Sequence, residues 1–276
     1  MDAVWFVDNT PGSKQTVFAP SEAEAEWPVV YRSLGENHGI AYAQNVGIHE
    51  ALALGFDHVL LLDQDSLLPT TVVKNLLAAE KHLQQKGVCV AAVGPTFVDV
   101  KTGLLNRVHH HTWFRLHKPT VDVGVALPIK TDWLIASGSL IRREVLEQAG
   151  TMLNELFIDA VDMEWGLRAK SLGMHSFVVP SAQIRHDVGD SNGRLLGVTV
   201  VLHGKLRNYY IVRNWVYLLR LPSMGMRWRT GAVPHVIKFM LVHLWFSKER
   251  RTQWTYFVRA LKDGIAGRMG RYAETQ

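Results

Sequence analysis

Three short polar segments follow apolar runs in this 276-residue chain, and their residue types could bind a ligand or a metal ion. They are Asp8-Asn9, residues 63–66 and residues 184–187. In open α/β sheets, ligands bind beyond the carboxyl ends of the strands, so polar residues at those ends are stronger candidates than the same residues elsewhere. These segments are therefore the first candidates for a functional site.

The pair Asp63 and Asp65 gives the sharpest of these signals. Alternate residues at the end of a strand can place two carboxylates at one site, where a divalent cation would neutralise them. Mg²⁺ and Mn²⁺ need only one or two protein carboxylates when water and substrate phosphates supply the remaining ligands. The alternative is that the two aspartates only cap the helix that begins near Pro69.

Other polar residues also allow a structural interpretation. Asp162 and Glu164 stand at the start of a predicted helix, where acidic side chains interact favourably with the helix dipole. His186 can be a hydrogen-bonded structural histidine, as can the histidine run 109–111, which has no metal-ligand spacing. Cys89 lies in an apolar run and is interpreted as core packing.

The apolar runs alternate between strand and helix patterns. Predicted strands are short and largely apolar, and they cover residues 3–7, 29–31, 58–62, 88–94, 133–142 and 176–179. Predicted helices cover residues 37–54, 69–86 and 162–172, another helix starts at Arg143, and a hairpin lies between 97 and 128. This alternation, with almost continuously apolar strands, predicts an α/β protein with a mainly parallel central sheet.

Composition excludes several classes of protein. With 47% hydrophobic and 20% charged residues, the chain can bury a core of its own and is not a disordered protein. A single cysteine excludes a disulfide scaffold and a cysteine-rich zinc site, and it fits a reducing compartment such as the cytoplasm. We expect no signal peptide and no spanning helix, because the chain shows neither a basic leader nor a run of 18 uncharged apolar residues.

Charge divides the chain into two parts. Residues 204–276 contain 14 Lys or Arg and 3 Asp or Glu, a net charge of +11, whereas residues 1–203 carry −6. The basic part is predicted to be helical from residue 200 onward, with a break at Pro222 and a strongly apolar helix over 233–246. We therefore expect one domain over 1–203 and a basic helical extension over 204–276 that contacts an anionic membrane surface. Nucleic-acid binding is the alternative, and it is disfavoured because no nucleic-acid motif is present.

Four motifs follow one another in an order that points to one enzyme family. They are residues 37–47 (NHGIAYAQNVG), 59–66 (VLLLDQDS), 157–168 (FIDAVDMEWGLR) and 186–189 (HDVG). In this order they resemble family 2 glycosyltransferases of the GT-A fold, and within that family the bacterial rhamnosyltransferases. The resemblance extends from about Ala3 to Asn214 and implies a GT-A domain followed by a helical extension.

The resemblance also implies roles for single residues. It places six residues at the nucleotide-sugar donor, namely Asp8, Asn37, Gly39, Asn45, Asp63 and Arg213. It matches Asp65 and His186 to metal ligands for Mg²⁺ or Mn²⁺, and Asp162 to the catalytic base. The residues matched to supporting positions are Glu164, Arg168 and Asp159. The turn of small residues 137–139 matches a segment near the acceptor pocket.

The activity that the resemblance implies is a metal-dependent, inverting transfer of a sugar. The expected donor is dTDP-L-rhamnose and the expected acceptor is a lipid-linked glycan or a polysaccharide. Such a protein would act in the cytoplasm, peripherally at the inner face of the plasma membrane. A UDP-sugar donor remains open, because a few pocket contacts decide between donors.

A second class of function also remains open. Members of the family usually begin with a further strand and loop before the segment matched by Asp8, whereas Met1 here falls almost at the second strand. A chain without that strand would have an incomplete donor pocket and could be a non-catalytic glycan- or membrane-binding protein. This alternative expects Asp65→Ala and Asp162→Ala to change nothing measurable, whereas the enzyme expects both to abolish turnover.

Overall fold

The computed structural model describes residues 2–12, 28–64, 66, 68–99, 108, 110–112, 115–117, 127–186, 192–195 and 198–273. The helices in this part of the chain are α1 (Ile40–Ala53), α2 (Thr70–Gln85), α3 (Arg143–Ala149), α4 (Val161–Ser171), α5 (Lys205–Leu218), α6 (Met226–Phe246) and α7 (Arg250–Ala266). The first strands are β1 (Val4–Asp8), β2 (Val29–Ser33), β3 (His58–Leu60), β4 (Val90–Asp99), β5 (His110–Thr112) and β6 (Arg115–His117). They are followed by β7 (Ile129–Thr131), β8 (Leu140–Arg142), β9 (His175–His186), β10 (Asn192–Leu195) and β11 (Val198–Val201).

The largest sheet has five strands in the order β3-β8-β4-β9-β7. β4 and β9 run parallel to each other, whereas β8 and β7 run antiparallel to their neighbours. The predicted α/β class is confirmed, and the sheet is mixed rather than mainly parallel. β1 and β2 form a separate parallel pair, and the predicted hairpin corresponds to the antiparallel strands β5 and β6.

Helices pack on the sheets through the apolar faces that their sequences predict. In α2, Val72, Leu76 and Leu83 are buried, and they pack with Val93 of β4 and Ile184 of β9. Residues spaced by about four positions share one face of a helix, which explains why this face is continuous. α1 contacts β1 instead, where Trp5 Nε1 donates a hydrogen bond of 3.0 Å to Glu50 Oε2.

One core cluster joins the two parts of the chain that differ in charge. Ile48 of α1 and Trp165 of α4 pack in the same cluster as Leu218, Trp228 and the residues near them. The boundary predicted between residues 203 and 204 falls close to the start of α5. The helices after this boundary nevertheless share their core with the strands and helices before it.

Several elements differ from the sequence-based predictions. β9 continues through Pro180, where the sequence predicted its end, because a register shift after Val179 removes the need for a ladder hydrogen bond from proline. The strand predicted over 133–142 is reduced to β8, because a turn occupies the preceding residues. Residues 198–201 are strand β11 rather than the start of a helix, and α6 begins at Met226 rather than at 233. Cys89 is exposed just before β4, so its interpretation as core packing is wrong.

No helix in the described part of the chain is both long enough and apolar enough to cross a bilayer.

Candidate active site

The loops after β1 and before α1 bring several predicted donor-site residues together. The Asn9 side chain accepts a hydrogen bond from the His38 amide at 2.8 Å and donates to Asn37 Oδ1 at 3.3 Å. Asn37 Oδ1 also accepts from the Gly39 amide at 3.0 Å. The Asp8 carbonyl accepts from the Leu34 amide at 2.9 Å, which ties the two loops together. Asp8, Asn37 and Gly39 therefore border one small region.

Asp8 is held as a carboxylate at this position. Its Oδ2 accepts a 2.6 Å hydrogen bond from the Tyr31 hydroxyl, and its Oδ1 accepts one of 2.9 Å from the Thr10 amide. These hydrogen bonds, that of Tyr31 first, lower the pKa of Asp8 below its usual value. This role of Tyr31 was not predicted from the sequence, because a tyrosine in an apolar strand ordinarily indicates packing.

Gly39 allows a close approach between α1 and the loop before α4. Its φ of 89° lies in the left-handed region, and a Cβ atom there would come within 2.5 Å of the Phe157 carbonyl oxygen. The next amide, that of Ile40, donates a 2.7 Å hydrogen bond to the same oxygen. The start of α1 thus rests directly on the loop that leads to α4.

Asn45 lies inside the protein, where its side chain is bonded to residues 152–154. Its amide nitrogen donates to Met152 O and Asn154 Oδ1, both at 2.8 Å, and its Oδ1 accepts from Met152 N at 2.9 Å. The side chain is only 4% exposed. It joins α1 to residues 152–154, and its predicted contact with the donor stays a prediction that would require these bonds to rearrange.

A turn of small residues, 136–139, connects two of the predicted acidic positions. On one side, Ser137 Oγ lies 3.3 Å from the Asp63 amide, which donates to it, and 2.5 Å from Ser66 Oγ. On the other side, Ala136 lines the same small cavity as Asp162, and its backbone amide lowers the pKa of that carboxyl group. Gly138, with φ of 80°, lies against Pro95, where a Cβ atom would approach to 2.5 Å. Residues 136–139, the small-residue turn, therefore bring the segment after β3 and the start of α4 to one place.

The Asp162 carboxyl group lines a small cavity of about 20 Å³, together with Gln44, Ser139, Trp165 and several apolar side chains. Burial raises the pKa of Asp162 to about 6, although the amides of Met163 and Ala136 hydrogen-bond the carboxylate and act in the opposite direction. The Met163 amide donates to Oδ1 at 2.8 Å. A carboxyl group with this pKa exchanges a proton near neutral pH, which is the property a general base requires.

The residues predicted to support Asp162 form two ion pairs. Arg168 Nε lies 2.9 Å from Glu164 Oε1 in α4, and its guanidinium also donates to the carbonyl oxygens of Ala149 and Thr151. This pair is largely buried, and it fixes α4 to the segment after α3. Asp159 pairs with Arg207 of α5 at 3.2 Å.

The resemblance predicts two metal ligands, Asp65 and His186. Asp65 lies outside the described residues, as does the side chain of His186, whose backbone ends β9 beside Asp99. In the described ranges, no group of three His, Cys, Asp or Glu side chains converges on one point. Asp63 follows β3 next to the small-residue turn. One or two carboxylates there suit an ion that takes its other ligands from water and phosphate.

Arg213 of α5 is 1% exposed, and its guanidinium donates hydrogen bonds to two backbone carbonyl oxygens and to one amide side chain. Nη1 donates to Gly270 O at 2.6 Å, Nη2 to Leu156 O at 3.0 Å, and Nε to Asn214 Oδ1 at 3.0 Å. The predicted contact between Arg213 and the donor diphosphate stays a prediction, and in this structure it would require these bonds to break.

Similar proteins of known structure share the fold. GalNAc-T7, in a crystal structure with UDP, GalNAc and Mn²⁺, matches 96% of this chain and 50% of its own, with a TM-score of 0.55 and 12% identity. The mannosyltransferase PcManGT from Pyrobaculum calidifontis, in complex with GDP-Man and Mn²⁺, matches 96% of this chain and 68% of its own, with a TM-score of 0.51 and 17% identity. At these identities the similarity concerns the fold, and the predicted GT-A architecture is confirmed.

Sequence comparison gives a narrower result. A model of the family described as glycosyl transferase family 2 matches residues 2–150. A dTDP-rhamnosyl transferase from Shigella flexneri, RfbF, is 34% identical over 199 residues, which make up 68% of this chain and 62% of that protein. The chain thus spans less than two thirds of the length of this relative. Because the ordered motifs, the GT-A architecture and this family match agree, the chain belongs to glycosyl transferase family 2.

Proposed function

We propose that the protein is a metal-dependent, inverting glycosyltransferase that moves L-rhamnose from dTDP-L-rhamnose to a glycan acceptor. The observation that carries this proposal is the small-residue turn, residues 136–139, which hydrogen-bonds the Asp63 segment through Ser137 and lines one cavity with Asp162 through Ala136 and Ser139. A base and a leaving-group site have to lie close together for a direct displacement. Similarity to the dTDP-rhamnosyl transferase supports the choice of donor.

In this mechanism Asp162 is the general base. Its carboxylate accepts the proton of the acceptor hydroxyl while the hydroxyl oxygen forms a bond to the anomeric carbon. The bond between that carbon and the donor phosphate oxygen breaks, and the nucleoside diphosphate leaves with the bonding electrons. Attack from the face opposite the leaving group inverts the anomeric centre. No covalent intermediate with the protein is needed.

The donor would lie between the β1 loop and the small-residue turn. Asp8 and Asn37 border the first of these, where their carboxylate and amide groups can recognise polar groups of a nucleoside. Asp65 and His186 would hold Mg²⁺ or Mn²⁺, with Asp63 beside them at the donor. Such an ion, when bound, stabilises the charge of the departing diphosphate as a Lewis acid.

Calorimetric titration tests the donor and the metal together. We expect dTDP-L-rhamnose and dTDP to bind the purified chain more tightly than UDP, and only with Mg²⁺ or Mn²⁺ present. Asp65→Ala should weaken this binding by at least about tenfold through loss of a metal ligand. The control is Asp57→Ala, which removes an exposed carboxylate directly before β3 and should not change the binding. Tighter binding of UDP would replace the donor, and absence of nucleotide binding by the folded chain would contradict the proposal.

We further propose that α6 places the protein on the anionic inner face of the plasma membrane, next to a lipid-linked acceptor. Val233, Ile237, Leu241 and Trp245 recur every four residues along α6 and are 47%, 53%, 62% and 66% exposed. An exposed apolar stripe of this length on one helix face is typical of an interfacial helix. Exposed basic residues near the stripe are Arg227, Lys238, Lys248, Arg250 and Arg251. Their charge is complementary to anionic lipid headgroups.

Vesicle binding tests this surface. We expect the protein to bind vesicles that contain phosphatidylglycerol, and to bind them less at high salt because salt screens the basic residues. The double variant Ile237→Ser/Leu241→Ser should lower the affinity for these vesicles by at least about tenfold, since each side chain contributes roughly 1.5–3 kcal/mol on burial. The matched control is Leu54→Ser/Leu172→Ser, which removes two exposed leucines elsewhere. Equal binding by both double variants would rule out the stripe as the contact.

A further inference from the structure

The loop before α4 has an unusual backbone. Phe157, Asp159 and Ala160 have φ values of 65°, 64° and 63°, in the left-handed region that residues other than glycine rarely adopt. Each such residue costs about 1 to 3 kcal/mol, and the conformation persists only where surrounding contacts impose it. Ala160 directly precedes α4, two residues before Asp162. The path of this loop therefore determines where α4 begins and where the Asp162 carboxylate lies.

Asn214 of α5 binds the loop through its amide nitrogen. Nδ2 lies 3.0 Å from Leu156 O, 2.7 Å from Ile158 O and 2.8 Å from Asp159 O, and the residue is fully buried. An amide has two hydrogens, so at least one of them is shared between two of the three carbonyl groups. A backbone in this conformation cannot give its carbonyl groups regular helix partners. One side chain from α5 supplies donors for all three.

Arg213 fixes the orientation of that amide. Its Nε and Nη2 donate to Asn214 Oδ1 at 3.0 and 2.9 Å, so the oxygen faces the guanidinium and the nitrogen faces the loop. Arg213 Nη2 also donates to Leu156 O at 3.0 Å. Phe157 stacks on Tyr210 of the same helix, with ring centres 5.2 Å apart. The loop is thus bound by consecutive turns of α5.

We propose that Asn214 is a positioning residue for glycosyl transfer: it holds the strained 157–160 backbone that aims Asp162 at the small-residue turn. The inference rests on the proposed function of Asp162. It also gives α5, in the basic part of the chain, a direct part in assembling the site. Without the Asn214 amide, the loop relaxes toward an ordinary backbone conformation, and the Asp162 carboxylate moves away from the Ala136 amide.

The test compares Asn214→Ala with Asn208→Ala. Asn208 is a matched control, because it is also a buried asparagine of α5, but its amide donates to His203 O and Gln253 Oε1 rather than to the loop. We expect Asn214→Ala to lower kcat at least tenfold while the Kd for dTDP stays within about twofold. Asn208→Ala should leave kcat within about twofold even where it lowers the melting temperature as much.

Two further arms keep the result interpretable. Asn214→Ser is uncharged and has one hydroxyl hydrogen on a shorter side chain, so it cannot serve three carbonyl groups and should lower kcat as well, and it replaces Asn214→Ala if that variant does not fold. Titration of the Asp162 carboxyl by ¹³C NMR needs no turnover. Its midpoint should shift in the Asn214 variants and not in Asn208→Ala.

The outcomes separate the two proposals. A wild-type chain that binds dTDP but never transfers rhamnose contradicts the proposed function, and the NMR titration then still decides the positioning role. A wild-type kcat in folded Asn214 variants, or equal effects of the Asn214 and Asn208 variants on kcat and on the NMR midpoint, would overturn the positioning role alone.

Discussion

Asp162→Asn is expected to abolish rhamnosyl transfer and, at the same time, to stabilise the fold above pH 6. A general base contributes about 10²- to 10⁴-fold to a reaction rate, and asparagine cannot accept the proton. Its side-chain oxygen can still accept the 2.8 Å hydrogen bond that the Met163 amide gives to Asp162. Folding and nucleotide binding should therefore survive the substitution, whereas kcat should fall by at least about a hundredfold.

The stability effect follows from the pKa of Asp162. The ordinary pKa of an aspartate is 3.8, and burial raises that of Asp162 to about 6. The folded state binds this proton more tightly than the unfolded state, so this contribution is fully present below pH 3.8 and is lost as the pH rises through 6. Above pH 6 the ionised carboxylate should cost about 1 to 3 kcal/mol of stability, which Asp162→Asn restores.

Chemical denaturation between pH 4 and 8 measures this difference, and dTDP release measures turnover. The advantage of Asp162→Asn over wild type should be small at pH 4, grow up to about pH 6 and then remain constant. Wild-type kcat should decline as the pH falls below about 6, because the base becomes protonated. Asp57→Asn provides the control, since this exposed carboxylate lies outside the site. A variant with wild-type turnover would remove Asp162 from the mechanism.

Gly39→Ala is expected to lower the free energy of unfolding by about 3 kcal/mol or more. Two costs add at this position. The φ of 89° is strained for any residue with a Cβ atom, and that atom would lie 2.5 Å from Phe157 O and 2.8 Å from Phe157 Cα. These are backbone atoms of the loop before α4, and they cannot move without disturbing the contacts that α5 makes with the loop.

Gly55→Ala separates the two costs. Gly55 has the same φ of 89°, but a Cβ atom there would meet nothing within 4 Å. We expect Gly55→Ala to lose about 1 to 2 kcal/mol from backbone strain alone. Urea denaturation of both variants gives the difference, which reports the close approach of α1 to Phe157. Equal losses in the two variants would show that this approach is absent in solution.

Local sequence was sufficient for most of the secondary structure and for the family. Apolar runs located β1, β2, β3 and β4, because a buried strand needs little more than consecutive apolar residues. The ordered motifs pointed to the family, and the resemblance named Asp8, Asn37 and Gly39, which the structure brings together. β9 was only partly predicted, because proline usually ends a strand, and the register shift that accommodates Pro180 depends on pairing with β4.

The tertiary structure decided which side chains these residues face. Asn45 bonds to Met152, 107 positions later, and Asn214 binds carbonyl groups 55 to 58 positions earlier. Arg213 reads in sequence as a residue for phosphate, yet it is buried and orients the Asn214 amide. Periodicity and motif spacing describe a chain only over about one element, whereas burial, the pKa of Asp162 and the strained loop arise from packing between distant elements. The sequence by itself therefore determined the family and the acidic residues available for chemistry, and packing decided how they are held.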